Sequence, residues 1–343
     1  MVSVIPLPVF LNQVIVMKPV IGVMECYINK LFYQNIHPKC LMSFCFSIMM
    51  KWETWKGEKA GMKKKDYSLG NCLATTMIAF FITVPGHELL HLLTSLCYGC
   101  KILCYSAGAV DAAMPDMNVL SSFHKIMVAG GSASIINAII AIILAVILVK
   151  AKPGPMLRLF LTQLMGMQAI QGIGYFLIGG LFGAGDWGNV YAELTGNPGL
   201  VSALRIILSI LGCAGMLGLF FFMNYLSYYF IEDKDNNAER MHVAFGLHLM
   251  PLIVGFVVGM ICSFMSPFVQ SGQMSIGTSI LFNSMWIPFF WGFMFTGPMK
   301  VLPPKTSRFL YKLPEKPNWI LLCLGVALVL VDIFIFGPGI FFS

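Results

Sequence analysis

Charged residues are scarce in this chain. Asp, Glu, Lys and Arg make up 11% of its 343 residues, whereas they make up about 25% of an average globular domain. Hydrophobic residues reach 58%. Length alone would suggest two soluble domains, but this composition argues against them and predicts a protein whose solvent is largely lipid.

The chain also lacks a recognisable nucleic-acid module and a disulfide framework. Its net charge of +7 comes from Lys and Arg residues beside apolar segments, where such residues orient a membrane protein. The ten Cys residues are scattered, and several lie in apolar runs where a thiol packs as a small hydrophobe. Cys97, Cys100 and Cys104 are spaced closely enough for a metal or a disulfide, but packing is the favoured interpretation because no second Cys pair is in register.

Residues 1–61 lack an apolar run of membrane-spanning length and the basic start of a secretory signal peptide. We expect a poorly structured or untranslated extension, with Met62 as a candidate natural start. Seven mainly apolar stretches follow, each long enough to cross a hydrocarbon core of about 30 Å. They run from Leu69 to Tyr98, Lys125 to Val149, Met156 to Phe182, Gly199 to Ile231, Met241 to Phe264, Ser275 to Phe295 and Asn318 to Phe336.

The segment from Gly99 to His124 is punctuated by Gly, Ser, Asp and Pro, which favours a re-entrant or surface hairpin. We therefore predict an all-α polytopic membrane protein with about seven transmembrane helices and a small hairpin after the first. Basic residues concentrate on one side of these spans, leaving only Lys101, Lys125 and Arg205 on the other. By the positive-inside rule we expect the first span to start in the cytoplasm and the carboxyl terminus to lie outside. The expected location is the plasma membrane of a prokaryote.

The first span contains His87-Glu88-Leu89-Leu90-His91. Residues four apart share a helix face, so His87 and His91 can bind one ion, and in zinc proteases of this pattern the Glu takes a proton from a zinc-bound water. Ionisable residues within a span are costly against lipid and are expected to serve a function. The preceding Pro85-Gly86 predicts either a loosened helix beside a hydrated cavity or a packing kink.

Catalytic zinc usually has three protein ligands and a water, so one more ligand is needed. Asp186 is the best candidate, because it follows the third span, which runs in the same direction as the first, and because the glycines before it permit an inward fold. A turn-capping role for Asp186 is the alternative. The fallback ligands on the same side are Glu193, Asp111 and Asp116.

A His-Glu-x-x-His helix inside a span, followed much later by Gly185-Asp186, resembles the site-2 protease family of intramembrane zinc metalloproteases. The resemblance covers about Phe80 to Asn189 and includes the small-residue segment from Ala129 to Asn137. It implies Zn²⁺ bound by His87, His91 and Asp186, with Glu88 as the base.

Two features depart from that family. Leu177-Ile178-Gly179-Gly180 replaces its Asn-x-x-Pro, which leaves Asn137 and Asn189 as candidates for oxyanion stabilisation or substrate positioning. The family also holds zinc nearer the cytoplasmic face, whereas the basic residues here place the site nearer the outside.

The sequence thus predicts a zinc endopeptidase acting on a membrane-anchored protein or peptide, in contact with the lipid bilayer and without nucleic acid. Residues 62–198 would form the catalytic core of three spans and residues 199–343 an accessory region of four. The alternative is a metal-ion or small-solute transporter that uses the His/Asp cluster as a passage site. Asp332, His242 and His248 are interpreted as buried or interfacial polar groups without a catalytic role.

Overall fold

The computed structural model describes residues 69–113, 120–301 and 310–342. These residues all fall within one compact unit, Lys65–Ser343. The predicted extension at 1–61 lies outside the described residues. The division at residue 198 and the orientation of the chain in the membrane stay predictions.

Six helices in the described ranges are long and apolar enough to cross a membrane. They are α1 (Leu69–Cys97), α2 (Ser122–Lys150), α3 (Pro155–Phe182), α5 (Pro198–Phe230), α6 (Asn237–Met265) and α10 (Trp319–Phe336). The shorter helices are α4 (Asp186–Glu193), α7 (Pro267–Gln270), α8 (Ile276–Asn283) and α9 (Pro288–Thr296). The chain is therefore an all-α polytopic membrane protein, as predicted from its composition.

The predicted sixth span, Ser275 to Phe295, is not one helix. Helix α8 ends at Asn283, a 3₁₀ turn follows at Ser284–Trp286, and α9 begins at Pro288. Proline has no backbone N–H to donate to the carbonyl four residues earlier, so that carbonyl, on Ser284, accepts from the nitrogen of Ile287 at 3.0 Å instead. Hydropathy cannot reveal this break, because both halves are apolar.

The long helices differ in how much of their surface is buried. Ile142 on α2 and Ile206 and Ile210 on α5 are each 62% exposed, as expected for side chains that face lipid tails. Helices α1 and α3 lie deeper, and a buried polar contact joins them. The side-chain amide of Gln163 on α3 donates to Thr76 Oγ on α1 at 2.8 Å and to the carbonyl of Gly246 on α6 at 3.1 Å. Because such contacts satisfy polar groups away from water, they fix the relative positions of α1, α3 and α6.

A small antiparallel sheet lies beside α1. Its strands are β1 (Lys101–Ser106), β2 (Ala109–Ala113) and β3 (Ile340–Phe341), in the order β2-β1-β3. The first two form a hairpin within the predicted hairpin segment, and β3 returns after α10 to pair with β1. The hydroxyl of Tyr105 on β1 donates to the carbonyl of Pro85 at 2.7 Å. The sheet is thereby attached to α1 two residues before His87.

Candidate metal centre

Three side chains converge between α1 and the start of α4. Nε2 of His87 lies 3.2 Å from Nε2 of His91, and Oδ2 of Asp186 lies 3.1 Å from the first nitrogen and 3.3 Å from the second. The corners of a tetrahedral zinc site with bonds of about 2.0–2.1 Å are separated by about 3.3 Å. The triangle therefore has the size of one face of a tetrahedral metal site. This cluster, in which His87 is buried and the other two are partly buried, can hold a metal ion.

Helical spacing accounts for the two histidines. His87 and His91 are one turn apart on α1, and their rings meet edge to face with centroids 4.8 Å apart. Two imidazole nitrogens at 3.2 Å repel each other when both present lone pairs, so the pair needs a proton or a cation between them. Helix α1 continues through Pro85 without interruption. Pro85 has no N–H to donate to the carbonyl of Phe81, so one helical hydrogen bond is missing there although the helix is not broken.

Two glycines turn the chain so that Asp186 reaches the histidines. Gly183 ends α3 with φ of 62° and Gly185 precedes α4 with φ of 67°, a left-handed region that favours glycine. The predicted inward fold at this glycine run is thus observed. The carboxylate of Asp186 contacts the histidines, and α4 has no side-chain cap at its start.

Gly130 on α2 makes room for Asp186. It has φ of 142° inside a π-helical turn, Met127–Gly131. A Cβ atom at Gly130 would lie 2.9 Å from both the Cβ and the carbonyl oxygen of Asp186. Helix α4 is further held by Trp187, whose indole N–H donates to Ser134 Oγ on α2 at 3.1 Å. The small-residue segment of α2 therefore determines where Asp186 lies.

His87 is oriented from two further directions. The side-chain amide nitrogen of Asn137 on α2 lies 2.8 Å from Nδ1 of His87, and both residues are buried. The ring of Tyr175 on α3 stacks on the imidazole, with centroids 4.8 Å apart and planes 17° apart. A histidine that binds a metal through Nε2 carries its proton on Nδ1, where it donates to a neighbouring oxygen. The amide oxygen of Asn137, turned towards the ring, can accept that proton.

The electrostatics of the cluster favour a carboxylate at Asp186. Burial alone would raise the pKa of Asp186, but the adjacent His91 and His87 hold it well below its ordinary value. An ionised carboxylate between two imidazole nitrogens is a donor set typical of zinc and other transition metals.

Glu88 opens onto a cavity beside the cluster. It is 6% exposed, and with His87 and Tyr175 it lines a cavity of ≈ 70 Å³ between α1, α3, α6, α8 and α10. One water needs about 10–15 Å³ of cavity volume, measured as the space open to its centre. Several waters therefore fit in this cavity. The carboxylate thus lies where water can reach it, next to the three candidate ligands.

The other predicted residues lie apart from this arrangement. Asn189 is exposed on α4, Glu193 is partly buried at the end of the same helix, and Asp111 is exposed on β2. Asp116 lies outside the described residues. Sequence reasoning missed Tyr175 and the role of Gly130, because stacking and close approach depend on how distant helices pack. It also set aside Asp332, which lines the same cavity as Glu88.

No family model, curated protein or solved structure matches this chain. The fold and the site nevertheless define a class. The chain is a polytopic helical membrane protein with a cluster, His87, His91 and Asp186, that can hold a metal ion.

Proposed function

We propose that this protein is an intramembrane zinc metalloprotease that hydrolyses peptide bonds of membrane-anchored substrates. One observation carries the proposal. Two imidazoles and a carboxylate form a triangle of the size that a metal ion requires, and Glu88 lines the cavity next to it. Three protein ligands leave a fourth tetrahedral position open, which is the donor count of catalytic rather than structural zinc sites.

His87, His91 and Asp186 would hold the ion, and a bound zinc ion supplies Lewis acidity that makes water more acidic and polarises a carbonyl. Glu88 then acts as general base: it accepts the proton of the attacking water and passes it to the leaving amine. With its amide oxygen turned towards Nδ1, Asn137 would hold His87 in the tautomer whose Nε2 lone pair faces the triangle. Tyr175 restricts rotation of the same ring.

The membrane location supports a membrane-anchored substrate. The site lies on long apolar helices, so a soluble peptide would have to leave water to reach it. A substrate that is already embedded presents its backbone at the required depth without that cost. The ≈ 70 Å³ cavity supplies the water that hydrolysis consumes.

The test is cleavage of candidate single-span proteins reconstituted with purified, zinc-loaded protein in liposomes. We expect Glu88→Gln to keep about one zinc per chain and to lose cleavage by about 10²–10⁴-fold, the usual contribution of a general base. Glu193→Gln is the matched control, since Glu193 lies at the far end of α4. Cleavage that persists in Glu88→Gln would refute the mechanism, and metal uptake into the liposomes without cleavage would favour the transporter.

A further inference from the structure

A second carboxylate lines the cavity beside Glu88. Asp332 begins a π-helical turn, Asp332–Phe336, at the end of α10, and it is 0% exposed. Neither carboxylate oxygen has a hydrogen-bond partner among the described residues. The thiol of Cys262 interacts with the carboxylate, but a thiol is a weak donor. Buried carboxylates are normally paired, so a group that completes this one is missing from the side chains that the structure describes.

A further buried acceptor lines the same cavity. Oε1 of Gln171 on α3 is also buried without a partner. The amide nitrogen of Asn283 is already engaged, since it donates to Ser263 Oγ at 3.0 Å and to the carbonyl of Ser279 at 2.8 Å. No Lys or Arg is present among the described residues that line the cavity. Three oxygens, two on Asp332 and one on Gln171, are thus without a partner among the described residues, and a cation with several N–H donors would satisfy all three.

The walls of the cavity indicate what kind of cation fits. Phe80, Phe282 and Trp286 line it together with Tyr175. Aromatic faces attract organic ammonium groups and pack against alkyl chains. A bare inorganic ion prefers a shell made of oxygen atoms, which these rings do not supply. A compact ammonium on an apolar stem matches both the acceptors and the walls.

A charged Asp332 lacks a counter-ion within the described part of the chain. A protonated carboxyl in this position could donate its O–H to water in the cavity or to another acceptor, but an ionised one needs a positive charge. No Lys, Arg or other fixed cation supplies that charge among the described residues that line the cavity. The same cavity reaches Glu88 and His87, so a cation seated on Asp332 would lie beside the candidate centre.

We propose that Asp332 and Gln171 form a subsite for an alkylammonium group of the substrate, next to the peptide bond that is cleaved. The inference rests on the proposed protease activity. A lysine side chain and the free amino terminus of a peptide both supply this group. The protein would then prefer substrates that place a primary amine close to the scissile bond.

The first experiment compares substrates that differ at one position, with Lys or norleucine on either side of the scissile bond, using zinc-loaded wild-type protein in liposomes. We expect kcat/KM to be larger for the Lys substrate by at least about tenfold, because loss of one partner of a buried charge pair has effects of this size or more. In Asp332→Asn the ratio of the two values should approach one. Asp111→Asn, which alters an exposed carboxylate on β2, should retain the wild-type ratio.

Acetylated and free peptides distinguish the two sources of the amine. A Lys preference that survives acetylation of the α-amino group alone assigns the group to a lysine side chain. Loss of cleavage on α-acetylation, equal for Lys and norleucine substrates, assigns it to the amino terminus. Cleavage that depends on neither amine would overturn the subsite and leave the protease proposal intact.

A binding measurement decides the subsite even if no substrate is cleaved. Titration of n-pentylammonium into zinc-loaded wild-type protein in detergent should give a measurable Kd, with 1-pentanol as the uncharged control. Binding should weaken by at least about tenfold in Asp332→Asn, while Asp111→Asn should bind as the wild type does. Equal binding to wild type and Asp332→Asn, or displacement of the amine by equimolar K⁺, would refute the alkylammonium site. Failure of cleavage together with specific amine binding would refute only the protease.

Discussion

His87 and His248 are both buried histidines on apolar helices, yet their partners differ. Nε2 of His87 faces a second imidazole and a carboxylate. Nε2 of His248 on α6 lies 2.8 Å from Ser227 Oγ and 3.3 Å from Thr296 Oγ. Hydroxyl groups can both donate and accept, so they satisfy a neutral imidazole without an ion.

The network around Nε2 of His248 consists of hydroxyl, amide and carbonyl groups, while Nδ1 has no partner among the described residues. The hydroxyl of Thr296 on α9 donates to Asn224 Oδ1 at 2.9 Å, and Ser227 donates to the carbonyl of Met223 at 2.9 Å. Gly292 packs so closely that a Cβ there would lie 2.4 Å from Nδ1 of His248. This histidine joins α5, α6 and α9, whereas the His87 cluster presents lone pairs to a common point. The type of partner, not burial, separates a packing histidine from a candidate ligand.

The largest expected effect that tests this distinction is the loss of a carboxylate ligand. Asp186→Ala removes one of the three ligands. Substitution of a residue that only hydrogen-bonds to a ligand typically lowers metal affinity by about 10–100-fold, so the loss of zinc affinity should be larger here. Zinc content after dialysis, measured by elemental analysis, should drop from about one per chain to near zero, and cleavage should fall to background. Unchanged zinc content would show that the third ligand is misassigned.

The second expected effect comes from the glycine that admits Asp186. Gly130→Ala places a methyl group 2.9 Å from the Asp186 backbone, in a conformation that L-residues rarely adopt. Asp186 must then move, and zinc affinity should fall by about tenfold or more in a competition titration with a chelator. Gly218→Ala on α5 is the control, because nothing lies within 4 Å of the added atom. An unchanged affinity in Gly130→Ala would mean that the centre tolerates displacement of α4.

Asp186 was predicted from the sequence, whereas the role of Gly130 was not. The spacing of His87 and His91 and the glycines before Asp186 led to the cluster, because helical periodicity and left-handed backbone are local properties. Six of the seven stretches that apolar length predicted as spans are long apolar helices in the structure. The contact between Gly130 and Asp186 could not be predicted in this way, because it joins helices that are distant in the chain.

The break at Pro288 and the placement of Asp332 escaped prediction for related reasons. Hydropathy averages over a window and does not register where a helix is interrupted, so the stretch from Ser275 to Phe295 reads as one span. Asp332 reads as an isolated polar residue in an apolar helix. Only the packing of α10 beside α1 brings it to the cavity that Glu88 lines.

A smaller effect is expected behind the centre, at Asn137. Asn137→Leu keeps the approximate volume but removes the group 2.8 Å from Nδ1 of His87. The imidazole can then adopt the other tautomer, and zinc affinity should fall by about 10–100-fold with the three ligands intact. Asn137→Asp, which restores an acceptor, should recover most of that loss. If Asn137→Leu cuts cleavage while zinc affinity is unchanged, Asn137 contacts the substrate or the oxyanion, as the sequence also allowed.

The smallest expected effect lies in the other histidine, where stability should change and metal binding should not. His248→Leu leaves the hydroxyls of Ser227 and Thr296 without their imidazole partner in a buried position. An unsatisfied buried polar group costs about 1–3 kcal/mol, so thermal unfolding in detergent should begin at a lower temperature while zinc content stays at about one per chain. His124→Leu, which alters an exposed histidine at the start of α2, should change the unfolding free energy by less than about 0.5 kcal/mol. If His248→Leu lost zinc at temperatures where the protein remains folded, His248 would not be only a packing residue. The hydroxyl network around it would then influence the metal site.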